Sequence, residues 1–444
     1  MSNIKYTLCL QNGQVMINDS LCSTNVYIMD GRISSISDKK LDSEKTIDCT
    51  NLTVLPGVID SQVHFREPGL EGKENLESGM LAAVSGGVTS IFEMPNTNPL
   101  TITPETIQDK LSRASKGAWT DYAFYLGGTM RTSSNLSKWE NLKGVCGIKI
   151  FMGASTGDLV TATDEEVESV VSNGRRVIAV HAEDQMIMDH NQNSILGNSH
   201  DVGMHCKWRS PASCLSATMR VVNLARKHKR RVHILHITTE EEMEFLSKNK
   251  DIASVELLAN HLTLHAPECY ERLGTLAQQN PPIREKKHQD ALWAALNSGI
   301  VDIVASDHAP HTLDEKSQTY PKSPSGTPGV QTLVPIMLNH VNNRKLTLPK
   351  LVSLWSYGPE RIHKISNKGR IKEGYDADFT IVDMNKEMVI QNSQQRSKSK
   401  WTPYDGMKVK GWVTHTILRG NCIMQDDEIL AKPIGQMVKF KETI

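Results

Sequence analysis

Neither charge predominates in this chain: 50 Lys and Arg residues are matched by 50 Asp and Glu. A nucleic-acid or membrane-surface partner would leave a basic surplus, so neither is expected. No run approaches the roughly 20 apolar residues of a membrane span. The first residues also lack a charged segment followed by an apolar core and a small-residue cleavage site, and the expectation is a soluble cytoplasmic protein. The eight cysteines (Cys9, Cys22, Cys49, Cys146, Cys206, Cys214, Cys269 and Cys422) include no CxxC pair. That absence argues for free thiols rather than a disulfide framework or a thiolate metal site. Internal repeats and low-complexity segments are missing too; the polar stretch Gln391 to Lys400 comes nearest, and reads as a solvated turn.

What is present is a change of rhythm along the 444 residues, which suffice for a large α/β domain and a smaller second unit. Up to about residue 55, short alternating segments are broken by Asn12-Gly13 and Asp30-Gly31, both strong hairpin signals. From Val54 onward the order becomes strand, loop, helix. Strands are expected at Leu52 to Ile59, Val88 to Met94, Asp121 to Leu126, Cys146 to Met152, Val177 to Val180, Val232 to Leu235, Ser254 to Leu258 and Asp302 to Ala305. Helices are expected between them, one opened by Thr103-Pro104 and another by the capping-box pair Thr239 and Glu242. Eight such units over about 250 residues have the size and order of a (β/α)8 TIM-like barrel. A doubly wound open sheet is the competing arrangement, and its usual GxGxxG turn is absent. Beyond Arg370 the alternating pattern returns, so a small β-sandwich unit is expected from both chain ends. The expected boundaries are 1–55 and 366–444 for that unit and 56–365 for the barrel.

Polar residues at the C-terminal ends of the expected strands form one set: His64, Lys149, His181, His236 and Asp307. Three imidazoles and a carboxylate at one barrel mouth are the ligands expected of zinc or a similar hydrolytic metal. A histidine taken alone is more often structural; the shared position at strand ends is what shifts the balance. Lys149 is the odd member, because an ammonium repels a metal. Buried, it could lose its proton and become a carbamate that bridges two cations; an ordinary lysine paired with Asp307 or Glu183 is the alternative.

The segments HFREPG (64–69), KEN (73–75), AAVSGGVTSIFEMPNTNP (82–99), KIFMG (149–153), HAE (181–183), NPPIR (280–284) and SDHAPH (306–311) resemble the class I dihydroorotases of the amidohydrolase superfamily. The terminal GYDADFTIVD is a pattern common to that superfamily, so the resemblance covers nearly the whole chain. Allantoinases and dihydropyrimidinases share the metal scaffold, but FREPG together with MPNT favours dihydroorotase. The resemblance implies reversible, metal-dependent cyclisation of N-carbamoyl-L-aspartate to L-dihydroorotate in pyrimidine biosynthesis. It implies His64, His181 and His236 as metal ligands, Lys149 as a carbamylated bridge, and Asp307 as ligand and proton shuttle. Arg66, Asn96 and His311 would bind the substrate carboxylate, as fixed cationic and amide donors suit a dianion. Hydrolysis of an unactivated ring amide needs a nucleophile stronger than water, which a metal ion supplies near neutral pH.

One position departs from the pattern. The family has His-x-His at the first strand, whereas this chain has Gln62-Val63-His64. Glutamine is a weak neutral ligand, so one zinc held firmly and a second held weakly is the expectation. Two other readings remain open: a non-catalytic dihydroorotase-like subunit that scaffolds aspartate transcarbamoylase, and a hydantoinase-like cyclic amidase. The expected partners are a small-molecule substrate, a second copy of the chain and, by family analogy, aspartate transcarbamoylase. The loop Ala154 to Val160 is expected either to move over bound substrate or to be a surface connection.

Overall fold

Gly57 divides the apolar run at Leu52 to Ile59 into two strands that belong to different sheets. A side chain there would meet Thr89 Oγ1 at 2.3 Å and Asp378 Cβ at 3.0 Å, so only glycine lets the backbone pass. Thr53–Pro56 joins a terminal sheet, and Val58–Val63 begins the barrel. The structure, a computed structural model, describes residues 5–155 and 159–441.

The barrel strands are Val58–Val63, Val88–Glu93, Asp121–Gly127, Val145–Phe151, Ile178–His181, Val232–Ile234, Ala253–Leu258 and Ile303–Ala305. They pair in parallel in sequence order. The sheet closes where Val63 bridges His308 and the His64 amide donates to the His308 carbonyl at 2.7 Å. The expected helices pack outside, with Asn75, Thr103, Thr163 and Thr239 accepting from the first-turn amides as N-caps. Leu76, Met80 and Ala83 of the helix Leu76–Ser85, with Val167, Val221 and Leu296, belong to the core between the helices and the sheet. Inside the barrel, Phe92, Tyr125 and Ala179 meet Val438 and Phe440 from the chain's end, which plug the floor. Each such plug side chain contributes about 1.5–3 kcal/mol by leaving water.

Both chain ends build the second unit. Glu428–Ile429, Asn421–Gln425, Lys408–Leu418, Phe379–Val389, Thr53–Pro56, Gln14–Ile17 and Ser20–Ser23 form one sheet, and Arg32–Ser37, Asn25–Met29, Leu8–Gln11 and Thr46–Asp48 the other. Leu10, Val26, Ile28, Val54, Phe379 and Ile417 fill the space between them.

Two local expectations are corrected. Asp30-Gly31 does make a hairpin, between Asn25–Met29 and Arg32–Ser37. Asn12-Gly13 does not: Leu8–Gln11 and Gln14–Ile17 lie in different sheets. Asn12 is instead tied to Asn25 Oδ1 at 3.2 Å and Asp48 Oδ1 at 3.0 Å, which turns the chain across the sandwich. The stretch Gln391 to Lys400 is no solvated turn throughout. Ser397 and Ser399 are buried, Ser397 Oγ donates to Glu74, and the Lys398 amide donates to Glu74 Oε1 at 3.2 Å. Among the described residues no helix is long and apolar enough to cross a membrane.

Candidate active site

Three of the expected site residues take backbone conformations that a side chain disfavours: Arg66 (φ 65°), His236 (φ 39°) and Asp307 (φ 47°). Such strain costs of order 1–3 kcal/mol per residue and persists where the surroundings dictate it, commonly at functional sites. All three follow barrel strands, and with Gln62, His64, Asn96 and His181 they line one narrow cleft at the C-terminal mouth. Phe151, Ser155, Asn280, Ala309, Ser325 and Gly326 complete the wall.

Hydrogen bonds fix which nitrogen of His181 and of His64 is free. His181 Nε2 donates to Glu183 Oε2 at 2.8 Å, so its Nδ1 keeps a lone pair, and that atom lies 3.0 Å from His236 Nε2. Glu183 is itself clamped by Arg209, whose Nη2 donates to Oε2 at 2.6 Å and whose Nε donates at 3.0 Å. Burial favours the protonated form of this carboxyl, but Arg209 and His181 outweigh it and hold Glu183 well below the usual carboxylate range. His64 Nδ1 donates to Asn96 Oδ1 at 2.8 Å, leaving an Nε2 lone pair 3.2 Å from Asp307 Oδ1. Two acceptors facing each other at that distance call for a proton or a metal cation between them.

Burial lowers the pKa of His64, His181 and His236 below the ordinary imidazole value, which keeps the neutral, ligating form. It also pushes the Lys149 ammonium down to about 7, against the pull of Asp307 and Glu256. Lys149 is 1% exposed, its Nζ has no hydrogen-bond partner, and it lies 4.3 Å from the Phe151 ring centre. Neither Asp307 nor Glu183 pairs with it, so an ordinary structural ion pair is not what holds Lys149 there.

The donor set fits a hydrolytic metal. Gln62 Oε1, Lys149 Nζ and Asp307 Oδ1 are buried polar atoms lacking a hydrogen-bond partner, although buried polar groups are normally paired. The candidate ligands come as two pairs, His181 with His236 and His64 with Asp307. The described residues bring three carboxylate or imidazole ligand atoms mutually within 4.8 Å only at Asp121, Asp376 and Asp378. There the Lys368 ammonium already contacts all three, at 2.5, 3.0 and 2.6 Å, making an ion-pair seam at the foot of the third strand.

His311 stands behind Arg66 rather than in the cleft wall. Its Nδ1 accepts from Lys73 Nζ at 3.2 Å, its Nε2 donates to the Ser325 carbonyl at 3.0 Å, and Arg66 Nη2 is 3.3 Å from it. Burial lowers the Arg66 guanidinium to about 10, which leaves it cationic at neutral pH. Glu74 of KEN accepts from His308 Nε2 at 3.3 Å, while His308 Nδ1 accepts from the Gly329 amide at 3.0 Å. Lys316, fully buried, donates to the carbonyls of Gln278, Pro324 and Gly326 at 2.9, 2.9 and 3.1 Å and pins the loop that forms the rim. Sequence reasoning missed Lys316, Arg209 and Ser155; Arg209 and Lys316 announce themselves only through tertiary contacts. Of the loop Ala154 to Val160, residues 156–158 lie outside the described residues. Its start is fixed by Arg209 Nη2, which donates to the Ala154 carbonyl at 2.8 Å.

Comparison with known proteins agrees with this geometry. Residues 53–423 match the model of the amidohydrolase family. A dihydroorotase of Pyrococcus abyssi is 36% identical over 430 residues, covering 96% of this chain and 97% of that protein. One from Methanosphaera stadtmanae is 34% identical over 91% of this chain and 94% of its own length. Among solved structures, the L-hydantoinase (dihydropyrimidinase) of Arthrobacter aurescens superposes with a TM-score of 0.93 at 27% identity, covering 98% of this chain and 99% of that one.

Proposed function

This chain belongs to the amidohydrolase family, and from that premise we propose that it is a dihydroorotase, interconverting N-carbamoyl-L-aspartate and L-dihydroorotate. The assignment to a hydrolase of cyclic amides follows from the family and from dihydroorotase relatives along nearly the whole chain. The observation that carries the substrate is Arg66. The residue is 2% exposed, yet it lines the same cleft as His64, His181, His236 and Asp307. A buried cation in a reaction cleft calls for an anion, and the substrate carboxylate supplies one.

Amidohydrolases are generally metal-dependent. His181 Nδ1 and His236 Nε2 would hold one zinc ion, with Lys149 as a carbamate adding oxygen donors. His64, Asp307 and the weaker Gln62 oxygen would serve a second, less firmly bound ion. When bound, the metal activates water and polarises the ring carbonyl. The chain's own groups do the rest. Arg66 and Asn96 orient the substrate carboxylate, and the neutral His64 keeps its Nδ1 proton on Asn96. Asp307 takes the proton from the attacking water as the new C–O bond forms. It returns that proton to the ring nitrogen as the C–N bond breaks.

The fold likeness to hydantoinases keeps a second reading in view. Arg66 weighs against it, because a simple hydantoin carries no carboxylate. The scaffold reading is opposed by the presence of Lys149, His181, His236 and Asp307 together with Arg66, Asn96 and His311, which a non-catalytic subunit has no need to keep. Turnover of L-dihydroorotate, run beside hydantoin with zinc counted per chain, tests the proposal. Hydrolysis of dihydroorotate with about one firmly bound zinc is the expected result. Preference for hydantoin, or no turnover of either substrate by metal-supplied protein that takes up no zinc, would overturn it.

A further inference from the structure

At the closed end of the barrel, opposite the reaction cleft, a second cleft of about 270 Å³ is lined by Arg175, Arg176, Arg231, Arg361 and Lys364, with Ser254 between them. We propose that it binds the phosphoryl group of a small molecule. This reading does not rest on the dihydroorotase assignment, because none of these residues borders the reaction cleft.

The topology explains why the cations converge. Arg175 and Arg176 precede the fifth strand, Arg231 the sixth, and Ser254 lies at the start of the seventh, while Arg361 belongs to the helix Gly358–His363. All therefore meet where the strands begin. Their roles differ. Arg176 is buried and braces the wall, donating to the Glu140 carbonyl at 2.9 Å. Arg361 shares Asp302 with Lys250, so that carboxylate is already matched by two cations. His363 is buried and held on the Cys146 carbonyl at 3.2 Å, with its pKa lowered to about 3 by burial and the nearby His233, so it adds no charge. Arg175 and Arg231 are exposed and enter no side-chain hydrogen bond or ion pair among the described residues. Among the described residues no carboxylate lines the cleft.

Like charges gathered around one concavity repel each other, and an anion relieves that repulsion. Guanidinium forks match phosphate oxygens in paired hydrogen bonds, which a chloride or a lone carboxylate uses less fully. The bounded volume suits a small phosphorylated compound, whereas a nucleic acid would require a basic stripe running across a face.

The test is calorimetric titration of the full chain with inorganic phosphate, inorganic pyrophosphate and ribose 5-phosphate at fixed ionic strength. Saturable binding near one per chain is expected, weakened tenfold or more in the R175A/R231A double variant. Ester hydrolysis is not invoked, and cyclic-amide turnover at the other end of the barrel should stay unchanged, which also reports that the variant folds. Tighter binding of ribose 5-phosphate than of phosphate would identify a phosphorylated metabolite; equal binding would identify the free anion. Absence of saturable binding by all three probes, or equal affinity in the folded double variant, would overturn the proposal.

Discussion

Replacing Glu183 by Gln removes one charge and almost no volume, and the structure says what that should do. The carboxylate receives the His181 Nε2 proton at 2.8 Å and the Arg209 guanidinium at 2.6 Å. It is this pairing that leaves His181 Nδ1 unprotonated beside His236. The amide carries no charge, so Arg209 loses its counter-charge in either rotamer. Where the amino group replaces the oxygen that His181 and Arg209 share, His181 loses its tautomer lock as well. Disturbing such a support typically costs 10–100-fold in metal affinity, equivalent to about 1.4–2.8 kcal/mol. Arg209 is only 3% exposed, so leaving it unpaired should also lower stability, by about 3–5 kcal/mol if no compensation occurs. Competition of the purified variant against a chromogenic zinc chelator measures the first effect, and chemical denaturation the second. Nitrogen-15 shifts of the histidine rings report the tautomer directly. A folded E183Q protein that binds zinc as tightly as the parent, or a parent protein with the His181 proton on Nδ1, would refute the reasoning.

Asp307→Ala should lower turnover by about 10²–10⁴-fold while circular dichroism stays unchanged, since the loss is that of a general acid-base group; near-parental turnover would remove Asp307 from the proton path. Gln62→His should raise firmly bound zinc from about one toward two per chain by elemental analysis, and an unchanged count would mean position 62 does not meet the metal. In metal-free, bicarbonate-free protein, the Lys149 pKa of about 7 lies below the ordinary lysine value of 10.5. Between those values the unfolded chain holds the extra proton, so this group makes stability rise with pH by at most about 1.4 kcal/mol per unit. Lys149→Met should flatten that rise and be the more stable protein near pH 6.5; superimposable denaturation profiles would contradict this. Lys316→Met strands three buried carbonyls and should destabilise by several kcal/mol, about 1–3 per unsatisfied group, which urea denaturation would read.

The barrel was legible because its signals are local. His181 and His236 terminate or follow apolar runs, and the run's end reveals which way the residue faces. The Thr103-Pro104 helix start and the Thr239 cap, with Glu242 three residues on, were equally plain. What escaped notice depends on contacts distant in sequence. Nothing near Arg209 indicates that it clamps Glu183, and nothing near Lys316 indicates three waiting carbonyls. Gly57 was hidden in an apolar run whose two halves look alike, and only the Thr89 and Asp378 neighbours show why it splits. Asn12-Gly13 misled because a turn dipeptide specifies a change of direction, not which sheet the next strand enters. His311 carries a family role in carboxylate binding, yet the folded chain places it behind Arg66, a distinction that residue identity alone cannot make.

The segment around Ser397 gives the reaction cleft a place in time as well as in space. Ser397 holds Glu74, the Trp401 indole donates to the His311 carbonyl at 2.8 Å, and the Tyr404 hydroxyl donates to Asn260. These braces emerge from the ribosome long after the strands that carry the histidines. A nascent chain that has completed its eight barrel strands thus still lacks the struts of its own mouth, and competence arrives only once synthesis has passed residue 404.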